Sequence, residues 1–225
     1  MLNVLDSVDP FTILLALLPL VAYLLVFSLV RLSGKALVTT GGRDIAALAM
    51  GISGLLAVGP AELFFPTAAA TMFGPVVWMA LGAFYGLSVS LIALSSPPRV
   101  VVYGRTAEEL YEPLLAAARS IDAETTGDDR LLQLNLPGSG VHLRIDGHRG
   151  IDYVQVVAFE PNVSLRFWNK LLAATRKQVQ RQTAPLPRRG FAMLFVAAVL
   201  SGILVMQSFN NQELLVEGFR DWLWR

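Results

Sequence analysis

The chain contains no cysteine. Disulfides, thiolate metal sites and cysteine nucleophiles are therefore excluded. Charge is also scarce. Only 16% of the 225 residues are Asp, Glu, Lys or Arg, against about 25% in an ordinary soluble protein. Histidine occurs twice, at His142 and His148, which leaves little material for imidazole chemistry. The first ten residues hold Asp6 and Asp9 but no Lys or Arg. A cleaved secretory signal needs a basic start and a short apolar run, so the first apolar run is expected to stay as an anchor.

Apolar length takes the place of charge. Hydrophobic residues make up 54% of the chain, and four long runs carry most of them, at 11–32, 44–65, 68–95 and 190–209. Crossing a bilayer takes about 20 residues at 1.5 Å each, so each run is expected to be a transmembrane helix. Between the third and fourth lies a polar stretch of domain size, 97–185. A final segment, 210–225, is too polar for a fifth span. Leu214, Leu215, Phe219, Trp222 and Leu223 recur in it at helical spacing beside Glu213, Glu217 and Asp221. That pattern predicts an amphipathic interfacial helix.

Basic residues set an expected orientation. Arg31, Lys35 and Arg43 follow the first run, Arg99, Arg105, Arg176, Lys177 and Arg181 sit near the ends of the polar stretch, and Arg188 and Arg189 lie between it and the fourth run. Both termini are then expected outside and 97–189 in the cytoplasm, in a membrane of the bacterial inner (cytoplasmic) type.

Pro97-Pro98 closes the third run and opens the polar domain. Val100 to Tyr103 reads as a strand. Thr106-Ala107-Glu108-Glu109 has the spacing of a capping box, so a helix should start there. Asp122 to Asp129 reads as a loop. Three alternating strands follow, around Leu132–Leu136, Val141–Ile145 and Ile151–Phe159, and a helix from about Ser164 to Gln180 ends the domain. The expected fold is thus a four-helix membrane bundle with a small cytoplasmic α+β domain, a β-α-β-β-β-α sandwich, inserted between helices 3 and 4.

Few residues invite a functional reading. Glu62 is the clear acidic residue inside a span, and such residues mark ion or proton paths. It also lies close to Pro66, where an outer headgroup would solvate it. Gly82, Gly86 and Ser90 make a stripe of small residues suited to helix packing, with Ala47, Gly51 and Gly54 of the second span as a partner stripe. Arg176, Lys177, Arg181, Arg188 and Arg189 form a juxtamembrane cluster of the kind that contacts anionic lipid headgroups. His142, His148, Asp146 and Asp152 do not match a recognised metal-ligand spacing. Pro137-Gly138-Ser139-Gly140 lacks the lysine and helix of a phosphate loop and the elbow of a nucleophilic serine, so it reads as a hairpin turn.

Catalytic, cofactor and metal residues are accordingly not assigned. The acidic residues of the polar domain count against nucleic acid as a partner. The expected partners are the bilayer, anionic headgroups, and a membrane or cytoplasmic protein or a second copy of the chain. The leading expectation is a non-enzymatic docking, regulatory or assembly subunit. Its rival is a transporter or channel subunit centred on Glu62.

Overall fold

A computed structural model describes residues 9–59, 72–74, 76–148, 151–180 and 188–224, with only the backbone at 188–189 and 222–224. Among these residues the chain forms seven helices and one six-stranded sheet. It divides into two compact units. One comprises Met1–Ser28, Ala46–Ile92 and Ala192–Arg225, the other Leu29–Ile45 and Ala93–Phe191.

The first unit is helical. Four helices are long and apolar enough to cross a membrane: α1 (Pro10–Leu32), α2 (Gly41–Val58), α3 (Val76–Ser95) and α6 (Arg188–Asn210, apolar from Gly190). Asp9 caps α1 by accepting from the Phe11 and Thr12 amides, each at 3.3 Å, and Pro10 then takes the first helical position, where no amide is needed. The glycines of α2 bear on α1. A Cβ on Gly51 would lie 2.9 Å from the Tyr23 ring, and one on Gly54 would collide with the carbonyls of Leu15 and Ala16. Two helix backbones approach this closely only where one lacks a side chain. Farther along, the Tyr85 hydroxyl of α3 donates to the Ala49 carbonyl at 2.6 Å. The final helix α7 (Gln212–Trp224) is 13 residues long and does not reach spanning length.

The second unit holds the sheet: β1 (Leu37–Thr40), β2 (Val100–Tyr103), β3 (Thr126–Asp128), β4 (Gln133–Leu136), β5 (Val141–Gly147) and β6 (Tyr153–Ala158). The strand order is β1-β2-β6-β5-β4-β3, and every neighbouring pair is antiparallel. Two strands go beyond the expected β-α-β-β-β-α order. β3 lies in the segment read as a loop, where Thr126 pairs with Asn135. β1 comes from the link between the first two spans, and Val38 pairs with Val102. The sheet is therefore assembled from two segments separated by two apolar helices, not from the 97–185 stretch alone.

Helices α4 (Ala107–Arg119) and α5 (Leu165–Gln180) cover one face. The capping box forms as its spacing predicts, with Thr106 accepting from the Glu109 amide and Glu109 from the Thr106 amide. Pro113 does not break α4. Leu110, Leu114, Leu143, Leu171, Val154 and Val156 are fully buried between helices and sheet. Each such side chain contributes about 1.5–3 kcal/mol on leaving water. β1 is an edge strand, and the Arg176 guanidinium donates to its Val38 carbonyl at 2.9 Å. That contact partly satisfies an edge otherwise open to further pairing.

Candidate docking face

Alternation along the strands decides what the face away from α4 and α5 displays. Leu134, Leu143 and Val156 point to the core, so their neighbours along each strand point away from it. This face, which is free of α4 and α5, has two distinct regions, one open and one carrying the first turn of α2.

The first is a shallow concavity of about 440 Å³ at the β3–β5 end, lined by Thr126, Asp128, Gln133, Asn135, His142 and Phe159 among others. Cross-strand pairing brings Thr126 beside Asn135 and Asn135 beside His142. Glu160 then fixes His142 twice, at 2.9 Å to its amide and 2.6 Å to ring Nδ1. Burial pushes the Glu160 carboxyl up, but hydrogen bonds from the His142 amide and ring outweigh this and hold it below its ordinary value. Arg144 pairs with Asp146 at 2.7 Å and lies 5.7 Å from the centre of the exposed Phe159 ring. Leu132, in the turn before β4, has φ of 54°. A branched side chain rarely adopts that conformation without support from its surroundings.

The second region lies at the β1–β2–β6 end, around Asp44 in the first turn of α2. Its carboxylate accepts from the Tyr103 hydroxyl and, at 3.2 Å, from the Tyr153 hydroxyl. Gln155 donates to the Tyr153 oxygen at 2.5 Å, and the two tyrosine rings sit 5.1 Å apart. A carboxylate in this turn also complements the positive end of the helix. Burial raises the Tyr153 phenol above its ordinary value and the Asp44 charge adds to this, while the Gln155 hydrogen bond and the Arg99 charge act the other way. The Arg99 side chain packs on Gly41, where a Cβ would come within 2.6 Å of its Cγ. Nearby in sequence, Arg31 at the end of α1 pairs with Asp152, whose backbone carbonyl accepts from the Gly104 amide at 2.8 Å.

The residues singled out in the sequence separate. His142 belongs to Glu160, Asp146 to Arg144 and Asp152 to Arg31, while His148 is exposed. Among the described residues no three such groups converge as a metal site would require. Ser139 sits in the β4–β5 turn, its amide held by Asp122 at 3.2 Å. Glu62 lies outside the described residues, as do Arg181 and the side chains of Arg188 and Arg189. Lys177 is exposed, and Arg176 is engaged with Val38. Around Gly82 and Gly86 a Cβ would meet nothing within 4 Å among the described residues, and Ser90 bonds back to the Gly86 carbonyl at 2.7 Å. The expected partner stripe, Gly51 and Gly54, is occupied by α1.

Asp44, Tyr103, Tyr153 and Gln155 were not singled out from the sequence. Alternation alone places Tyr153 and Gln155 on one face. Bringing Asp44 and Tyr103 to them requires the β2–β6 pairing, which joins strands 50 residues apart in the Tyr103–Tyr153 register. No family model matches this chain, nor does any curated protein or solved structure.

Proposed function

We propose that the chain is a polytopic membrane subunit that acts by docking and regulation through its polar domain. One observation carries this reading. The sheet takes one strand from the first interspan segment and five from the second, and its face away from α4 and α5 offers a concavity at the β3–β5 end, while the other end is tied to the first turn of α2 through Asp44. The concavity presents amide, hydroxyl and imidazole groups beside an exposed phenyl ring. That mixture suits recognition of a polar partner surface with an apolar anchor. His142 is committed to Glu160 with no nucleophile placed against it among the described residues, which favours binding over catalysis.

The β1–β2 pairing also supports one orientation. Strands cannot pair across a bilayer, since the backbone groups at lipid depth would be unsatisfied. Both interspan segments then share a side, and their basic residues support the cytoplasm as that side. Lys177, Arg181, Arg188 and Arg189 are assigned in this reading to anionic headgroups.

The test is affinity purification of the full-length chain from its own membranes in mild detergent, with mass spectrometry of what accompanies it. A stoichiometric companion, or a second copy, is expected with the natural chain and lost with Asn135→Arg, an exposed substitution in the concavity that leaves the core untouched. A solitary monomer overturns the proposal. So does a companion that Asn135→Arg retains.

A further inference from the structure

We infer that α7 lies in the headgroup layer of the bilayer with the flank carrying Val216 and Phe219 turned into lipid. The inference rests on reading α1, α2, α3 and α6 as spans. Its support is the way α7 is seated.

α7 follows α6 after the single residue Asn211. A straight continuation would carry it away from the level at which the spans end. Instead Gly218 meets the first turn of α1: a Cβ there would lie 2.5 Å from Phe11 Cβ and 3.1 Å from the Asp9 carboxylate. The Phe219 and Phe11 rings meet edge to face at 5.9 Å. Seven residues of helix rise about 10 Å, so α7 is pinned about that far along its length to the end of another span. Only glycine permits this approach.

The seat uses part of the apolar arc. At about 100° per residue, Leu215 and Gly218 mark the half-buried side. Phe219 and Val216 fall about 40° and 100° beyond Leu215 in one direction, and Glu213, Glu217 and Arg220 occupy the far side. Val216 is 71% exposed and Phe219 51%. This apolar flank lies between the protein-facing side and the charged side, and Leu214, 48% exposed, lies on the other side of the seat. A helix with a seat on protein, exposed apolar side chains beside that seat and a charged back matches the boundary between acyl chains and water.

The absence of cysteine makes the test direct. Val216→Cys, Glu217→Cys and, on α3, Leu91→Cys are labelled singly with an environment-sensitive thiol fluorophore in full-length protein reconstituted in phosphatidylcholine nanodiscs, with and without brominated acyl chains. Bromine is expected to quench positions 91 and 216 at least about twofold more than position 217. Quenching at 91 without quenching at 216 overturns the inference and leaves the spans intact. No quenching at 91 overturns the reading of the spans instead. A label at 216 shielded from both bromolipid and aqueous iodide shows a protein covering this flank, and that also refutes lipid as its occupant. Gly218→Leu is expected to reduce quenching at 216 toward the level at 217. Unchanged quenching there overturns the role of the glycine seat.

Discussion

Replacing Val38 by alanine tests whether the link between the first two spans belongs to the core of the polar domain. Val38 is 3% exposed and packs in the main core cluster. Removing two methyl groups costs about 1.6 kcal/mol in transfer free energy, at about 0.8 kcal/mol for each carbon. The void left between sheet and helices adds about 1 kcal/mol if some 40 Å³ stays unfilled, at about 24 cal/mol per Å³. The sum is about 2–3 kcal/mol. Opening of the sheet should then become about 30- to 100-fold more frequent, at tenfold per 1.4 kcal/mol. Hydrogen–deuterium exchange of the full-length protein in detergent reads this directly through the amides of β2 and β6. The control is Thr39→Ala, one residue on and facing the other side of the sheet, where about 0.5 kcal/mol or less is expected. Equal effects from the two substitutions, or no change at Tyr153–Ala158 on altering Val38, would refute the placement of β1.

Two further outcomes follow from single contacts. Glu160 is held below its ordinary carboxyl value in the folded state, so its contribution to stability is complete above that ordinary value and fades as pH falls through the lowered one. Thermal melting of the domain between about pH 3 and pH 6 should therefore show an acid loss that Glu160→Gln removes; an identical pH profile in the variant excludes the assignment. In the first unit, Gly54→Leu forces a side chain into the Leu15 and Ala16 carbonyls. It should abolish monodisperse behaviour in detergent. Leu55→Ala, at an exposed neighbouring position, should be tolerated, and equal tolerance of both changes would remove the close α1–α2 contact.

The elements whose signals are local were legible in the residues. The capping box at Thr106 and Glu109 names its own helix, because the reciprocal bonds need only that spacing. The alternation of Val141, Leu143 and Ile145 names a strand with one buried face. The small-residue stripe at Gly82 and Gly86 was equally legible as a pattern, yet Gly51 and Gly54 are the pair that packs within the chain. Spacing identifies a surface that permits close approach, whereas the partner is chosen by how the spans assemble. Likewise Asp146 and Asp152 are near neighbours in sequence, yet each pairs with a different arginine.

Composition and periodicity alone determined that this chain contains four helices of spanning length and a polar α+β domain, because water excludes long apolar runs and each helix or strand has its own repeat. Tertiary structure alone decided that Leu37–Thr40 completes the sheet and that Asp44 meets Tyr103 and Tyr153. Leu37–Thr40 sits in the short link between two apolar helices, with no second strand beside it in sequence to pair with. It exists because its backbone pairs with β2 and its valine fills the core, and both partners lie more than 50 residues away along the chain.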